Sequence, residues 1–186
     1  MNKYRVKVTQ RCDRNCAYCI NKSEEYRKKW IAVQSIYEIN FDFARSIIVS
    51  GGEPTVLKHK LVAICKAIRE LNKDAPMYLQ TNGAYLTKEL VKELDNYIDG
   101  IGLSIHNWDE FQHKFTRYID ILRVKPIRLY VSKKMYHPFH PQCPNLNLNE
   151  SMLNDINKFP FTWRIWTEDE FDKDEKIFVL KEGKQV

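Results

Sequence analysis

Cys12, Cys16 and Cys19 stand at a three-then-two spacing directly after a short β-like run at residues 4–9. Within one tight loop, this spacing lets three thiolates converge on a single metal centre and leaves a further coordination position open. Cages closed by four protein ligands are structural, whereas an open position takes a substrate or cofactor. Zinc normally completes its four ligands with a second Cys-x-x-Cys pair or with regularly spaced histidines. The chain has no second pair, and its five histidines follow no zinc-finger pattern. A cluster of four irons held by three thiolates, with one iron free for another ligand, suits the spacing better. A non-catalytic iron–sulfur or zinc-binding module is the rival of a different class.

Composition narrows the setting. A chain of 186 residues is long enough for one well-buried domain and short for two. Five cysteines (Cys12, Cys16, Cys19, Cys65 and Cys143) make an odd number, and three crowd into eight residues, which points to metal or redox chemistry in a reducing compartment rather than a disulfide framework. No apolar run approaches a membrane span and the first residues are polar and basic, so the expectation is a cytoplasmic protein without signal or anchor. The formal charge is +6, but basic residues cluster only at Arg27-Lys28-Lys29 and Lys133-Lys134. Scattered charge of this kind argues against a nucleic-acid face and equally suits an acidic protein partner, including an electron donor.

Such residues must be positioned by a scaffold, and the chain repeats one pattern, a β-rich run followed by a helical period. Strands are predicted at 4–9, 45–50, 77–80, 100–105, 127–131 and 161–166. Between them, residues 57–71 place Leu57, Leu61, Ile64, Cys65, Ile68 and Leu71 on one helix face, with Cys65 as packing. Thr87 is a helix N-cap for 88–97, where Leu90, Val91 and Leu94 form the buried stripe. Tyr26, Trp30, Val33, Ile36 and Tyr37 fall at roughly helical spacing within 22–43, and further helices are expected at 108–122 and 149–158. Pro138, Pro141 and Pro144 keep a long loop, 133–148, extended.

Six alternations predict an α/β protein with a parallel sheet and right-handed crossovers. Six units are too few to close an eight-stranded barrel, so a curved partial (βα)6 TIM-like barrel is expected, with a flat doubly wound sheet as the alternative. Residues 1–166 form the core domain in this reading. Residues 167–186 form a charged C-terminal tail whose apolar run, 177–180, is an extra strand or a flexible end. Sites lie at the C-terminal edges of parallel strands. There the unusual residues gather: the cysteines after strand one, Gly51, Gly52, Glu53 and Pro54 after strand two, Thr81, Asn82 and Gly83 after strand three, Ser104 and His106 at strand four, and the proline-rich loop after strand five.

Cys12-x-x-x-Cys16-x-x-Cys19, with Tyr18 just before the third cysteine, resembles the signature of the radical S-adenosylmethionine (radical SAM) enzymes. Gly51-Gly52-Glu53-Pro54 resembles that family's second motif, at the expected strand end. Motifs carry the resemblance to about residue 106, and element order carries it to about 166. It implies a 4Fe-4S cluster on the three cysteines, with the free iron chelated by the amino and carboxylate groups of S-adenosylmethionine. One electron then cleaves the sulfonium to methionine and a 5′-deoxyadenosyl radical, which abstracts hydrogen from a substrate, while the protein orients the cofactor and excludes water and oxygen.

The resemblance also implies roles for residues. Gly51 and Gly52 let the backbone approach the methionine moiety, Glu53 bonds its ammonium, Pro54 fixes the turn and Tyr18 lies near the adenine. Thr81, Asn82 and Ser104 either meet the carboxylate or ribose or do local structural work, as a turn and a small strand residue. Asn21 resembles the asparagine of glycyl-radical-enzyme activases, or else caps a helix. His106 and Trp108 are placed along the substrate cavity. Cys143 either donates hydrogen to a substrate radical, as in some peptide epimerases of the family, or is an incidental loop cysteine.

Two departures matter. No glycine occurs between Gly102 and Gly183, so a glycine-bearing adenine contact beyond strand four is missing, and there is no second cysteine cluster for an auxiliary iron–sulfur domain. The expectation is an oxygen-sensitive enzyme served by a flavodoxin- or ferredoxin-like electron donor. A peptide or protein substrate comes first, because a chain without added domains leaves the barrel mouth wide. Activation of a glycyl radical enzyme and chemistry on a purine-like nucleoside precursor are the alternatives.

Overall fold

Runs of β-branched and aromatic residues become strands throughout. In chain order they are β1 (Lys3–Lys7), β2 (Trp30–Val33), β3 (Ser46–Ser50), β4 (Met77–Thr81), β5 (Gly100–Ile105), β6 (Ile127–Ser132), β7 (Thr162–Trp166) and β8 (Glu175–Leu180). The helices are α1 (Glu24–Lys28), α2 (His59–Leu71) and α3 (Lys88–Leu94). This computed structural model describes residues 2–16, 19–105, 127–132, 162–166 and 175–181. The helices expected at 108–122 and 149–158, and the loop at 133–148, lie outside the described residues, as do Tyr18, His106, Trp108 and Cys143.

Every pairing is parallel, and the sheet runs β2-β8-β1-β3-β4-β5-β6-β7. The six predicted strands therefore lie side by side in chain order. The chain is an α/β protein whose parallel sheet has the arrangement of a partial (βα)6 barrel.

One face of this sheet forms the main core. Tyr4, Val6, Ile47, Val49, Met77, Leu79, Ile101 and Leu103 pack beneath Leu61, Ile64 and Ile68 of α2 and Leu90, Val91 and Leu94 of α3. Each such side chain contributes about 1.5–3 kcal/mol when fully buried. Cys65 belongs to this core, and burial pushes its thiol up to about 12. Thr87 caps α3 by accepting a hydrogen bond from the Leu90 N–H at 3.1 Å. At the N-terminal edge, the Arg69 guanidinium donates to the carbonyls of Tyr97 and Ala75 and to Asp99 Oδ2, which also accepts from the Met77 N–H. That clamp fixes where β4 and β5 begin.

Two expectations change, and one that stood between two alternatives is decided. The helical spacing across 22–43 is not one helix: α1 ends at Lys28, Trp30–Val33 is strand β2, and Ile36–Glu38 is a short 3-10 turn. Tyr26, Val33 and Ile36 are buried, but by three successive short elements, and Tyr37 is 60% exposed. Leu71 ends α2 at 38% exposure instead of joining the buried stripe. The run at 177–180 is a strand, inserted between β1 and β2. Ile177, Phe178, Val179 and Leu180 are all buried, as both faces of an inner strand require.

Candidate cofactor site

The cysteine loop leaves β1 and is fastened to the end of β3 by an extension of the parallel ladder. Val8 N–H donates to the Ser50 carbonyl at 2.9 Å, Gly52 N–H to the Thr9 carbonyl at 2.8 Å, and Glu53 N–H to the Arg11 carbonyl at 2.7 Å. This approach explains the two glycines. A Cβ on Gly51 would lie 2.4 Å from the Thr9 carbonyl oxygen, and one on Gly52 would lie 2.3 Å from that of Arg11. Both distances are closer than real side chains come, so only glycine lets residues 9–11 run this near.

Glu53 is 1% exposed. Its Oε1 accepts from the Thr55 N–H (3.0 Å), the Thr55 hydroxyl (2.5 Å) and the Thr81 hydroxyl (2.6 Å), and its Oε2 accepts from the Asn82 N–H (2.7 Å). A buried carboxylate is tolerated when surrounded by donors in this way. The carboxylate expected to meet an ammonium thus joins the ends of β3 and β4. Pro54 opens the 3-10 turn Pro54–Leu57 that follows it.

Thr81, Asn82 and Gly83 do turn work as well. Thr81 Oγ1 accepts from the Gly83 N–H at 2.9 Å, Asn82 Oδ1 accepts from the Ala84 N–H at 2.8 Å, and Gly83 has φ 77°, which favours glycine. The Asn82 amide also donates to Asp13 Oδ1 at 2.9 Å, inside the cysteine loop. Asp13 is a link the motif reading passed over, since nothing in the spacing distinguishes it from an ordinary loop residue. Ser104 is half-buried near the C-terminal end of β5, opposite Tyr130 in register.

Among the described residues Cys12, Cys16 and Cys19 form no disulfide; Cys12 is exposed and the other two half-buried. A turn joins the last two, with the Cys19 N–H on the Cys16 carbonyl at 3.3 Å. The Arg14 N–H donates to Cys12 Sγ at 3.4 Å, while local desolvation still raises the Cys12 pKa above its ordinary value. Among the described residues, no three His, Cys, Asp or Glu side chains converge closely enough to hold a metal ion. The donor set nevertheless suits an iron–sulfur cluster, with three soft sulfur ligands on one loop and none of them in a disulfide.

A second residue escaped the sequence reading. Lys7, the last residue of β1, is 1% exposed. Its ammonium lies 3.7 Å from the centre of the Trp30 ring and 5.5 Å from that of Tyr26, and it donates to Asn21 Oδ1. The Asn21 amide in turn donates to the Gly51 carbonyl at 3.1 Å, so this side chain braces the loop just after Cys19. Burial, with Arg5 nearby, pushes the Lys7 pKa down to about 7, against an opposing pull from Cys19.

Residues 6–128 match the profile of the Radical SAM superfamily. The chain belongs to that superfamily. Membership places it among radical SAM enzymes, whose general cofactors are a 4Fe-4S cluster and S-adenosylmethionine. Similar proteins include a GTP 3',8-cyclase of Pseudomonas fluorescens (strain Pf0-1), 30% identical over 127 residues that cover 64% of this chain and 38% of the relative. A putative glycyl-radical enzyme activating enzyme of Methanocaldococcus jannaschii is 28% identical over 130 residues, 60% of this chain and 52% of the relative. An uncharacterized protein of the same archaeon is 29% identical over 161 residues, 80% of this chain and 52% of the relative. The chain spans about half or less of the length of these relatives. Among the described residues, no helix is long and apolar enough to cross a membrane.

Proposed function

We propose that Cys12, Cys16 and Cys19 hold a 4Fe-4S cluster, and that the protein uses it with S-adenosylmethionine to abstract hydrogen from a protein target. The observation that carries this reading is the fastening of a three-thiol loop onto the Gly51–Glu53 segment, which sets the cysteines past a strand's C-terminal edge with none of them in a disulfide. When bound, the cluster supplies an electron for cleavage of the sulfonium. The chain's own residues supply the frame. Glu53 holds the ends of β3 and β4 together, Asn82 tethers the loop through Asp13, and the glycines keep the backbone of residues 9–11 against the end of β3. Ser104 stands near the C-terminal edge of β5, where a ribose or carboxylate contact would be made. A flavodoxin- or ferredoxin-like protein is the proposed electron donor, and chemical reductants should replace it.

Activation of a glycyl radical enzyme is the preferred form of the reaction. Asn21 at its place after Cys19, together with the likeness to a putative activating enzyme, supports it. Chemistry on a purine nucleotide is the second reading, supported by the likeness to GTP 3',8-cyclases from several organisms. Modification of a peptide or protein loop, the first expectation from sequence, draws less support from these comparisons than either.

Anaerobically reconstituted protein should bind iron and sulfide, and after dithionite reduction should release 5′-deoxyadenosine. Cys16→Ala should lose both properties. Full cluster binding by Cys16→Ala, or no 5′-deoxyadenosine from loaded wild type, would overturn the cofactor reading. Adding a glycyl radical enzyme should produce a glycyl radical signal. Cofactor cleavage stimulated only by purine nucleotides would move the assignment to the second reading.

A further inference from the structure

Lys7 is a buried cation that the cofactor reading does not use, placed where a strand ordinarily ends in a neutral residue. Register puts it opposite Val179 of β8 and Ser50 of β3. Tyr26, Ile177 and Val179, with Trp30 and Ile20 packed against them, form a small apolar cluster separate from the main core. The lysine is built into this side of the sheet. Two aromatic faces and one amide oxygen hold it, and among the described residues no carboxylate forms an ion pair with it. Lys3 and Arg5 share its strand face, and the Arg5 guanidinium donates to Glu175 Oε2 at 3.0 Å and to Gln80 Oε1 at 2.5 Å. A lysine kept out of water without a carboxylate has an electrostatic debt, and ring faces discharge only part of it. Asn21, two residues after Cys19, takes the ammonium's hydrogen bond, and Cys19 is the group whose electrostatic pull opposes the lowering of the Lys7 pKa.

We infer that the protonated Lys7 is a caged counter-charge for the thiolate-bound cluster, a positioning residue that raises the cluster's reduction potential without touching the reacting atoms. The inference rests on the reading of Cys12, Cys16 and Cys19 as cluster ligands. A one-electron reduction adds negative charge, so a nearby cation favours the reduced state, and burial protects that effect from salt. At a separation of about 10 Å and an effective dielectric near 20, one charge changes such an equilibrium by on the order of tenfold. The aromatic cage keeps the ammonium from swinging toward solvent.

The test is a redox titration of the reconstituted cluster, followed by electron paramagnetic resonance, in wild type, Lys7→Met, Lys7→Gln and Lys7→Arg. The expected result is normal iron and sulfide content in both neutral variants, with a midpoint lowered by roughly tenfold in the equilibrium, or about 59 mV for one electron. Lys7→Arg should stay near the wild-type value. Two neutral variants are included because Gln retains a donor for Asn21 where Met does not, and either one that loads is decisive. A neutral variant with full cluster content and a wild-type midpoint overturns the inference. Failure of both neutral variants to load, with Lys7→Arg failing equally, also overturns it, because shape rather than charge would then be what matters. Wild type that takes up no iron removes the cluster reading itself, an outcome distinct from a loaded protein whose potential ignores Lys7.

Discussion

Two buried charges stand at neighbouring strand ends, and they are treated in opposite ways. Glu53 lies among donors: two hydroxyls and two backbone N–H groups point at its carboxylate. Lys7 has one amide oxygen and two aromatic faces. The first charge is met by hydrogen bonds that also join β3 to β4, and its field still adds to the desolvation that raises the Cys12 pKa. The second is under-compensated and feels an opposing pull from Cys19. The two charges thus reach the cysteine loop with opposite signs, one from a motif residue and one from an unremarked strand residue.

The comparison breaks first at Glu53. Glu53→Ala would strand buried donors on Thr55, Thr81 and Asn82, each orphan costing about 1–3 kcal/mol. A total loss of about 3–5 kcal/mol is expected in urea unfolding, and Glu53→Gln should fall between that and wild type. A loss under about 1 kcal/mol would show that the latch is dispensable. Next comes Gly52→Ala, whose methyl would meet the Arg11 carbonyl. Overpacking of this kind costs about 1–3 kcal/mol, and displacement of the loop should cut iron incorporation several-fold. Normal iron content in a folded Gly52→Ala protein would mean that the cysteine loop tolerates the shift.

At Lys7 the expected sign reverses. Its folded pKa lies near 7 against an ordinary 10.5, so the apoprotein should lose stability as pH falls through that range and gain it as pH rises from 7 toward 9. Lys7→Met should abolish this slope and be more stable than wild type at pH 7, by an amount on the order of 1–2 kcal/mol. Thermal melts of the metal-free proteins at pH 7, 8 and 9 would measure it. A parallel pH dependence in the two proteins would place the charge compensation somewhere other than the aromatic cage. The smallest effect is expected from Asn82→Ala, which removes the Asp13 tether and one turn bond for about 1 kcal/mol. It should slow cluster uptake without preventing it, as measured by iron incorporation over time.

Much of this architecture is legible in sequence, for identifiable reasons. Strands β3, β4 and β5 are short apolar runs between helical periods, and Thr87 announces α3 with a side chain suited to one position. Cys12, Cys16 and Cys19 stand out because a metal-ligand motif constrains both residue type and spacing. β2 was not legible: Trp30, Val33 and Ile36 sit at intervals that fit a helix, while the strand's partner lies at Glu175–Leu180. The roles of Glu53 and Asn82 were half legible. Their types were conspicuous, but whether a carboxylate faces a ligand or its own neighbours depends on Thr55 and Thr81, which only the fold brings to it. Lys7 was hidden because an alternating strand offers nothing to separate a solvated lysine from a caged one.

The placement of β8 has a consequence for the order in which the protein can be completed. Trp30 pairs with Ile177 and Lys7 with Val179, so two early segments of the chain meet through a late one. Among the described residues, β2 has no strand partner except β8. On the ribosome, β1 and β3 can pair long before residue 175 emerges, but the wall that carries Trp30 cannot close until then. Contacts of such long sequence separation form slowly, because a large loop must be closed before they stabilise anything. A nascent chain would thus carry Cys12, Cys16 and Cys19 on a half-built edge, without the lysine's cage in place until β8 arrives.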